Sequence, residues 1–257
     1  MGSEMCIRDR DPPSQGPVSA DDVVSSISNA LAASGIMLDP AQADAAIAAI
    51  MHRVSVLAGG PGTGKTTTVC ALLAALQQAD PHLGAVALAA PSGKAAARLR
   101  DSVSQVSERM PDDLKPIVAD ATTVHSLLKW QGPGTSFGYD EQHKLPFGVV
   151  VVDEASMLSL PLAASLLSAI GPQTRLILVG DPGQLVSVDA GSVLADIVSS
   201  ADALQAQLPV TILTCNHRSR GDIARLSEAV REGDKSTALD VFCLLYTSDA
   251  ADEEDSV

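Results

Sequence analysis

The chain has 257 residues, of which 46% are hydrophobic and only 2% aromatic, and its formal net charge is −14. This length suits one large domain or two small ones, and a core of Ala, Val, Leu and Ile is typical of buried parallel strands. The charge argues against a protein that coats nucleic acid through bulk positive charge. No membrane span, secretory signal or cysteine framework is visible, so we expect a soluble cytoplasmic protein.

The two ends of the chain differ in character from its middle. Residues 1–10 have no clear periodicity, and a Pro- and Gly-rich linker follows them up to residue 20. The acidic residues 243–257 break sharply from the helical pattern before them. We therefore expect 1–20 to be a disordered or foreign segment and 243–257 to be a foreign acidic tail on a truncated gene product.

Short apolar strands alternate with longer helices along the middle of the chain. Two helices are predicted first, over 21–33 and from Asp39-Pro40 to residue 53. Strands are then predicted at 54–58, 84–90, 148–152, 174–179 and 210–214. Further helices are predicted near 65–79, 92–109, 122–129, 160–170, 190–204 and 220–231. This alternation predicts an α/β fold with a parallel sheet covered by helices on both faces.

The most informative motif is Gly-Gly-Pro-Gly-Thr-Gly-Lys-Thr at residues 59–66, between a predicted strand and a predicted helix. This is the setting of a phosphate-binding P-loop, in which glycines let backbone N–H groups face the phosphates of a nucleotide such as ATP. We expect Lys65 to reach the β- and γ-phosphates and Thr66 to hold Mg²⁺. The predicted nucleotide-binding residues here are Gly59, Gly60, Pro61, Gly62, Thr63, Gly64, Lys65, Thr66 and Thr67. The alternative is a glycine-rich turn without a ligand.

Two later strands end in polar residues. Four valines at 149–152 precede Asp153 and Glu154, the pattern called Walker B. Because buried parallel strands deliver their last residues to the edge where ligands bind, we expect Asp153 to hold Mg²⁺ through water and Glu154 to polarise the attacking water. The strand before Gly180 leads to Gln184, a candidate sensor of the γ-phosphate. An ordinary Asp-Pro-Gly turn is the alternative there.

Segment 131–147 is predicted to be a long loop or a hairpin insert. Together with Trp130 it contains four aromatic residues, Trp130, Phe137, Tyr139 and Phe147. Aromatic side chains on an exposed insert could stack on unpaired bases. The alternative is a small satellite cluster that pins the hairpin to the domain.

Six motifs occur in the order found in RecD-type proteins, and residues 36–234 resemble this family of superfamily 1 DNA helicases. The motifs are the P-loop, Ala-Pro-Ser-Gly-Lys-Ala-Ala-Ala-Arg-Leu at 90–99, Thr-Val-His-Ser-Leu-Leu at 123–128, Asp-Glu-Ala-Ser-Met at 153–157, Gly-Asp-Pro-Gly-Gln-Leu at 180–185 and Asn-His-Arg at 216–218. The resemblance implies a RecA-like, doubly wound P-loop NTPase fold. It also implies the function of the family, whose members are the alpha subunits of exodeoxyribonuclease V. These are ATP-driven 5′→3′ motors on single-stranded DNA that work with RecB and RecC in recombination and double-strand-break repair.

The resemblance also supplies further candidate site residues. The adenine-contacting glutamine of the family matches Gln42, for which solvated surface is the alternative. The γ-phosphate-contacting arginine matches Arg218, although Arg220 leaves the register open. The family's contacts to the DNA backbone match Pro91, Ser92, Gly93, Lys94, Thr123 and His125. A partly buried structural histidine is the alternative for His125.

The family needs two RecA-like lobes, with ATP hydrolysed between them. We expect 21–53 to form N-terminal helices that include the adenine motif, 54–209 the first lobe, and 210–242 the beginning of a truncated second lobe. The chain alone is therefore predicted to bind nucleotide weakly and not to unwind DNA. The alternatives are a free-standing RecD-like or relaxase-type helicase, a P-loop small-molecule kinase, and a non-catalytic assembly module.

Overall fold

The computed structural model describes residues 19–132, 137–184, 193–201, 208–217, 226, 229–230 and 233–241. The chain divides into two compact units. The first consists of Met1–Gly60 and Lys65–Thr214, and the second consists of Pro61–Gly64 and Cys215–Val257.

A six-stranded parallel sheet forms the centre of the first unit. Its strands are β1 (Val54–Gly59), β2 (Val86–Ala90), β3 (Thr122–Thr123), β4 (Val149–Val152), β5 (Arg175–Gly180) and β6 (Val210–Leu213). They lie in the order β3-β2-β4-β5-β1-β6. The α-helices of this unit include α1 (Ala20–Ala33), α2 (Pro40–Met51), α3 (Lys65–Ala79), α4 (Gly93–Arg109), α5 (Val124–Leu127), α6 (Leu160–Ala169) and α7 (Val193–Ser199).

Helices cover both faces of this sheet. Along β4, Val149 and Val151 pack in one core cluster with residues of α1 to α4, whereas Val150 and Val152 pack in a second cluster with residues of α5 to α7. This alternation follows from the strand geometry, in which successive side chains point to opposite faces. All four valines are fully buried, which explains why the strand reads as a continuous apolar run. The predicted α/β fold is confirmed.

The five predicted strands are present, and their ends differ from the prediction by two residues or fewer. The helix predicted over 122–129 is wrong in part, because β3 occupies the first two of these positions and α5 ends at Leu127. Threonine favours extended backbone, and Thr123 caps α5 by accepting a hydrogen bond from the Ser126 N–H at 3.1 Å. The helix predicted at 190–204 is described over Val193–Ser199, and most of 220–231 lies outside the described residues.

Strand β6 joins the sheet at an edge, beside β1. Its pairing is parallel, with Val56 opposite Val210 and Gly59 opposite Leu213. The predicted boundary of a second lobe at residue 210 therefore falls within the first sheet, and the first unit extends to Thr214. A short apolar strand carries no local signal for the sheet to which it belongs. The assignment of 210–242 to the beginning of a second lobe stays a prediction.

The second unit contains a helical stretch at 235–241 that begins after Asp234. The Asp234 carboxylate accepts a hydrogen bond from the Thr237 hydroxyl at 2.6 Å, and its other bonds come from Ser236 and the Thr237 N–H. These donors lower the pKa of Asp234 to about 2. In the same unit, the His217 N–H donates to the Gly62 carbonyl at 2.8 Å. Within the described parts of the chain, no helix is both long and apolar enough to cross a membrane.

Candidate functional site

The loop of residues 60–64 connects β1 to α3. Gly62 and Gly64 both have φ near 81°, a left-handed conformation that glycine adopts without the steric cost of a Cβ. Lys65 is the first residue of α3, and its ammonium donates to the carbonyls of Gly59 and Gly60 at 2.7 and 2.9 Å. These two bonds hold the ammonium at the point where the chain leaves the strand.

Helix α3 anchors the residues that follow this loop. Thr66 and Thr67 are half-buried in its first turn, and the helix is buried without interruption from Thr68 to Leu76. The side chains from Val69 to Leu76 belong to the core cluster on the α1 to α4 face of the sheet. Because α3 and β1 are both fixed by packing, the position of Lys65 is determined by the fold.

Strand β4 leads directly into the two predicted acids. The Asp153 N–H donates to the Ala89 carbonyl at 2.9 Å and so continues the ladder between β2 and β4. Glu154 has φ 53° and ψ 38°, and a 3₁₀ turn over Ala155–Met157 follows it. A non-glycine residue in this left-handed region is strained by about 1–3 kcal/mol, and such strain concentrates at functional sites.

Burial and the charges of Glu154 and Lys65 change the pKa of Asp153. Burial raises the pKa of the Asp153 carboxyl above its ordinary value. The N–H of Glu154 donates to that carboxyl and opposes the rise in pKa, while the Glu154 carboxylate adds to it and the Lys65 ammonium opposes it. Lys65 is therefore near enough to Asp153 to act on its charge, so the fold brings the P-loop lysine and the Walker B acid together.

Strand β5 lies between β1 and β4, and it ends beside both motifs. Gly180, its last residue, is opposite Ala58 of β1, and β5 pairs with β4 from Arg175 to Leu178. The buried carboxylate of Asp181 accepts a hydrogen bond from the Gly183 N–H at 2.9 Å. Gln184 follows this turn and is exposed to solvent. The predicted sensor therefore lies just beyond the strand that separates the lysine from the acids.

Gly180 has a structural importance that the sequence analysis missed. A Cβ at this position would lie 2.6 Å from Leu194 Cδ2 and 3.2 Å from the backbone nitrogens of Ala155 and Ser156. Only glycine lets β5 approach the turn that follows Glu154 so closely. The available signal was a glycine at the end of an apolar strand, which often marks close backbone approach.

We expect Gly180→Ala to destabilise the chain by about 1–3 kcal/mol, since an added methyl forces neighbouring atoms to shift. The free energy of unfolding from urea denaturation measures this effect. Gly93→Ala is the matched control, because Gly93 begins α4 and a Cβ there would have no atom within 4 Å. Equal losses of stability in the two variants would contradict the packing role of Gly180.

Among the remaining candidates for nucleotide contact, the structure describes Gln42 but not the two arginines. Gln42 is only 2% exposed, so the solvated-surface alternative is wrong. Its side-chain oxygen accepts a hydrogen bond from the Asp39 N–H at 3.0 Å, and the Asp39 carboxylate accepts one from the Gln42 N–H at 2.9 Å, which forms a capping box at the start of α2. Its contact with adenine stays a prediction. Arg218 and Arg220 lie outside the described residues.

The two segments predicted to contact a DNA backbone lie at the same edge of the sheet. Ala90, before the Pro91–Lys94 segment, is paired with Thr123. Within that segment, Ser92 caps α4 by accepting a hydrogen bond from the Ala95 N–H at 3.2 Å, and Gly93 and Lys94 are exposed. His125 is also exposed, so the alternative of a partly buried histidine is wrong.

Residues 37–243 match a family described as AAA domain. The chain belongs to this family. Its AAA domain is 46% identical over 208 residues to the RecBCD enzyme subunit RecD of Mycobacterium tuberculosis (strain CDC 1551 / Oshkosh), a match covering 77% of this chain and 35% of that protein. It is 45% identical over 209 residues to the same subunit of Mycolicibacterium smegmatis (strain ATCC 700084 / mc(2)155), covering 78% of this chain and 37% of that protein. The chain thus spans about a third of the length of these relatives, and the predicted resemblance to RecD is confirmed.

A solved structure has a similar fold. The crystal structure of Bacteroides Pif1 bound to single-stranded DNA matches this AAA domain with a TM-score of 0.50 and 19% identity, covering 80% of this chain and 49% of that chain. At this identity the similarity concerns the fold alone, and it supports the RecA-like P-loop NTPase architecture that the sequence predicts.

An AAA domain implies a bound nucleotide and usually Mg²⁺, and the residues present fit both. The Thr66 hydroxyl and the Asp153 carboxylate offer hard oxygen atoms, the kind of donor that Mg²⁺ prefers. No cluster of three or more His, Cys, Asp or Glu side chains suited to a metal occurs in the described ranges. Mg²⁺ in nucleotide sites does not require one, because phosphate oxygens and water complete its coordination.

Proposed function

We propose that this chain is the ATP-binding lobe of a RecD-type DNA helicase subunit, an ATP hydrolase that moves 5′→3′ along single-stranded DNA. The observation that carries the proposal is that Lys65 and Glu154 both lie near enough to the buried Asp153 for their charges to act on its carboxyl. The 46% identity to a RecBCD subunit supports the RecD type. In that role the partners are RecB and RecC, and the processes are recombination and double-strand-break repair.

In this proposal, ATP binds through its phosphates. Lys65 contacts the β- and γ-phosphates, and the backbone N–H groups of the P-loop surround them. Thr66 binds Mg²⁺ directly, and Asp153 binds it through water. Gln42 contacts the adenine. Burial supports the assignment of Asp153, because a carboxylate in a poorly hydrated position gains more from a nearby cation than an exposed one does.

Hydrolysis in this proposal depends on residues beyond the phosphate loop. Glu154 orients the attacking water and accepts its proton, since a carboxylate at the edge of the site can act as a general base. Gln184 and Arg218 contact the γ-phosphate and respond to its loss. A guanidinium is suited to the negative charge of a transferring phosphoryl group. The sequence motifs support these roles of Gln184 and Arg218.

Single-stranded DNA in this proposal follows the edge formed by β2, β3 and the segments after them. Ser92, Gly93 and Lys94 contact its backbone from one segment, and Thr123 and His125 contact it from the other. The pairing of Ala90 with Thr123 supports a single continuous track. Because the net charge is −14, we expect the affinity for the DNA backbone to be low and to fall further as the salt concentration rises.

The test is the rate of ATP hydrolysis by the 257-residue chain with and without single-stranded DNA. We expect a low basal rate that rises several-fold with oligo(dT) and rises less with a blunt duplex of the same length. A Lys65→Ala preparation controls for contaminating ATPases. Nucleotide binding without stimulation by DNA would instead favour the non-catalytic assembly module.

A further inference from the structure

Trp130 is the single tryptophan of the chain, and it is 52% exposed. The other aromatic residues of the neighbouring segment behave differently, because Phe137, Tyr139 and Phe147 are partly buried against the core cluster on the α5 to α7 face. The satellite cluster considered from the sequence therefore exists for those three residues. It leaves the largest aromatic ring of the segment substantially in contact with solvent.

The local backbone holds Trp130 in a defined position. Lys129, just before it, has φ 54°, a left-handed conformation that turns the chain sharply at the end of α5. The N–H of Trp130 donates to the His125 carbonyl at 2.9 Å, and Trp130 also forms an antiparallel bridge with Phe137. The Lys129 ammonium lies 4.8 Å from the centroid of the Tyr139 ring. Trp130 is thus fixed by its own backbone bonds and by its pairing with Phe137.

His125 supports the tryptophan ring from one side. The two ring centroids are 6.2 Å apart and the ring planes meet at 81°, an edge-to-face arrangement that aromatic pairs favour. Phe137 is also 6.2 Å from His125. A ring held in this way loses little conformational freedom when a second flat molecule stacks on it, which favours binding.

Trp130 adjoins the edge of the sheet that carries the proposed backbone contacts. Thr123, which pairs with Ala90, precedes His125 by two residues, and α5 packs against β2 and β3. The charge nearby is mixed, since Lys129 is cationic and Asp140 is anionic. The Asp140 carboxylate accepts hydrogen bonds from the Gln142 and His143 N–H groups at 2.8 Å. Phosphate attraction alone is therefore weak here, whereas base stacking does not depend on net charge.

We propose that Trp130, supported by His125, is a stacking platform for an unpaired base of single-stranded nucleic acid. This inference rests on the proposed function and adds to it a contact with the base rather than with the phosphate backbone. Aromatic stacking tolerates any base, because every base presents a flat face, so the contact fits a motor that moves along any sequence. Paired bases in a duplex do not offer that face.

The single tryptophan allows a direct test, because the intrinsic tryptophan fluorescence of the chain comes from Trp130 alone. We expect oligo(dT) to quench this fluorescence, and an abasic oligonucleotide of the same length and charge to leave it unchanged. In a separate measurement by fluorescence anisotropy with labelled oligonucleotides, Trp130→Ala should bind oligo(dT) about 10-fold more weakly. The same variant should bind the abasic strand as the unaltered chain does, and Trp130→Phe should recover part of the loss.

Ile117→Ala is the matched control, since Ile117 is 82% exposed and its backbone bonds to the Gln77 side chain of α3. It should not change binding to either oligonucleotide, and thermal unfolding should show that all variants remain folded. Binding of oligo(dT) without quenching, and with equal affinity in Trp130→Ala, would overturn the stacking role but leave the proposed function intact. An absence of anisotropy change with every oligonucleotide would overturn both.

Discussion

Replacing Lys65 with alanine is expected to weaken the binding of Mg·ATP roughly 30- to 150-fold, the equivalent of about 2–3 kcal/mol for a lost hydrogen bond to a charged group. The reason is that Lys65 is held at the start of the P-loop by the carbonyls of Gly59 and Gly60, close to where a triphosphate would lie. Isothermal titration with a slowly hydrolysed ATP analogue measures the affinity.

Lys115→Ala provides the matched control for this experiment. Its ammonium bonds to the exposed carboxylate of Asp112 at 2.6 Å, and a surface ion pair of this kind contributes little to stability. We expect this variant to bind the nucleotide as the unaltered chain does. If Lys65→Ala also bound with unchanged affinity while remaining folded, the phosphate-binding role of the loop would be refuted.

Replacing Glu154 with glutamine is expected to slow ATP hydrolysis by about 10²- to 10⁴-fold while the affinity for ATP changes only a few-fold. The amide has nearly the shape of the carboxylate but cannot accept the proton of the attacking water. Burial is the main reason that the pKa of Asp153 is raised, and the Glu154 carboxylate adds to it. The substitution removes that second effect, so we expect Asp153 to stay available to bind Mg²⁺. Single-turnover hydrolysis separates this chemical effect from binding.

Glu141→Gln is the corresponding control, because Glu141 is an exposed acid in segment 131–147. Its rate of hydrolysis should equal that of the unaltered chain. A Glu154→Gln variant that hydrolyses ATP at a similar rate would show that another group accepts the proton. The base would then have to be sought among other acids near the ends of β4 and β5.

The parts of the site that the sequence predicts well are those whose signals are local. The glycines before Lys65 and the four valines before Asp153 each lie within one short segment, and their flanking elements follow from periodicity. In the structure, Lys65 lies near enough to Asp153 for its charge to act on that carboxyl. Their assignment needed no knowledge of packing, because the ends of parallel strands meet at one edge.

Other features depend on contacts between distant residues and could not be predicted in this way. The need for glycine at position 180 arises from Leu194 and from the turn after Glu154. The place of β6 in the first sheet depends on its pairing with β1. Gln42 is predicted from a resemblance, and its burial depends on packing that only the folded chain shows.

Because β5 lies between β1 and β4, its backbone sets the distance between these two strands. Neighbouring strands are about 4.8 Å apart, so the strand that carries the phosphate loop and the strand that carries the acids are separated by about 10 Å. Main-chain hydrogen bonds between the three strands set this width. A gap of constant width would keep the lysine and the acids in register through repeated cycles of nucleotide exchange.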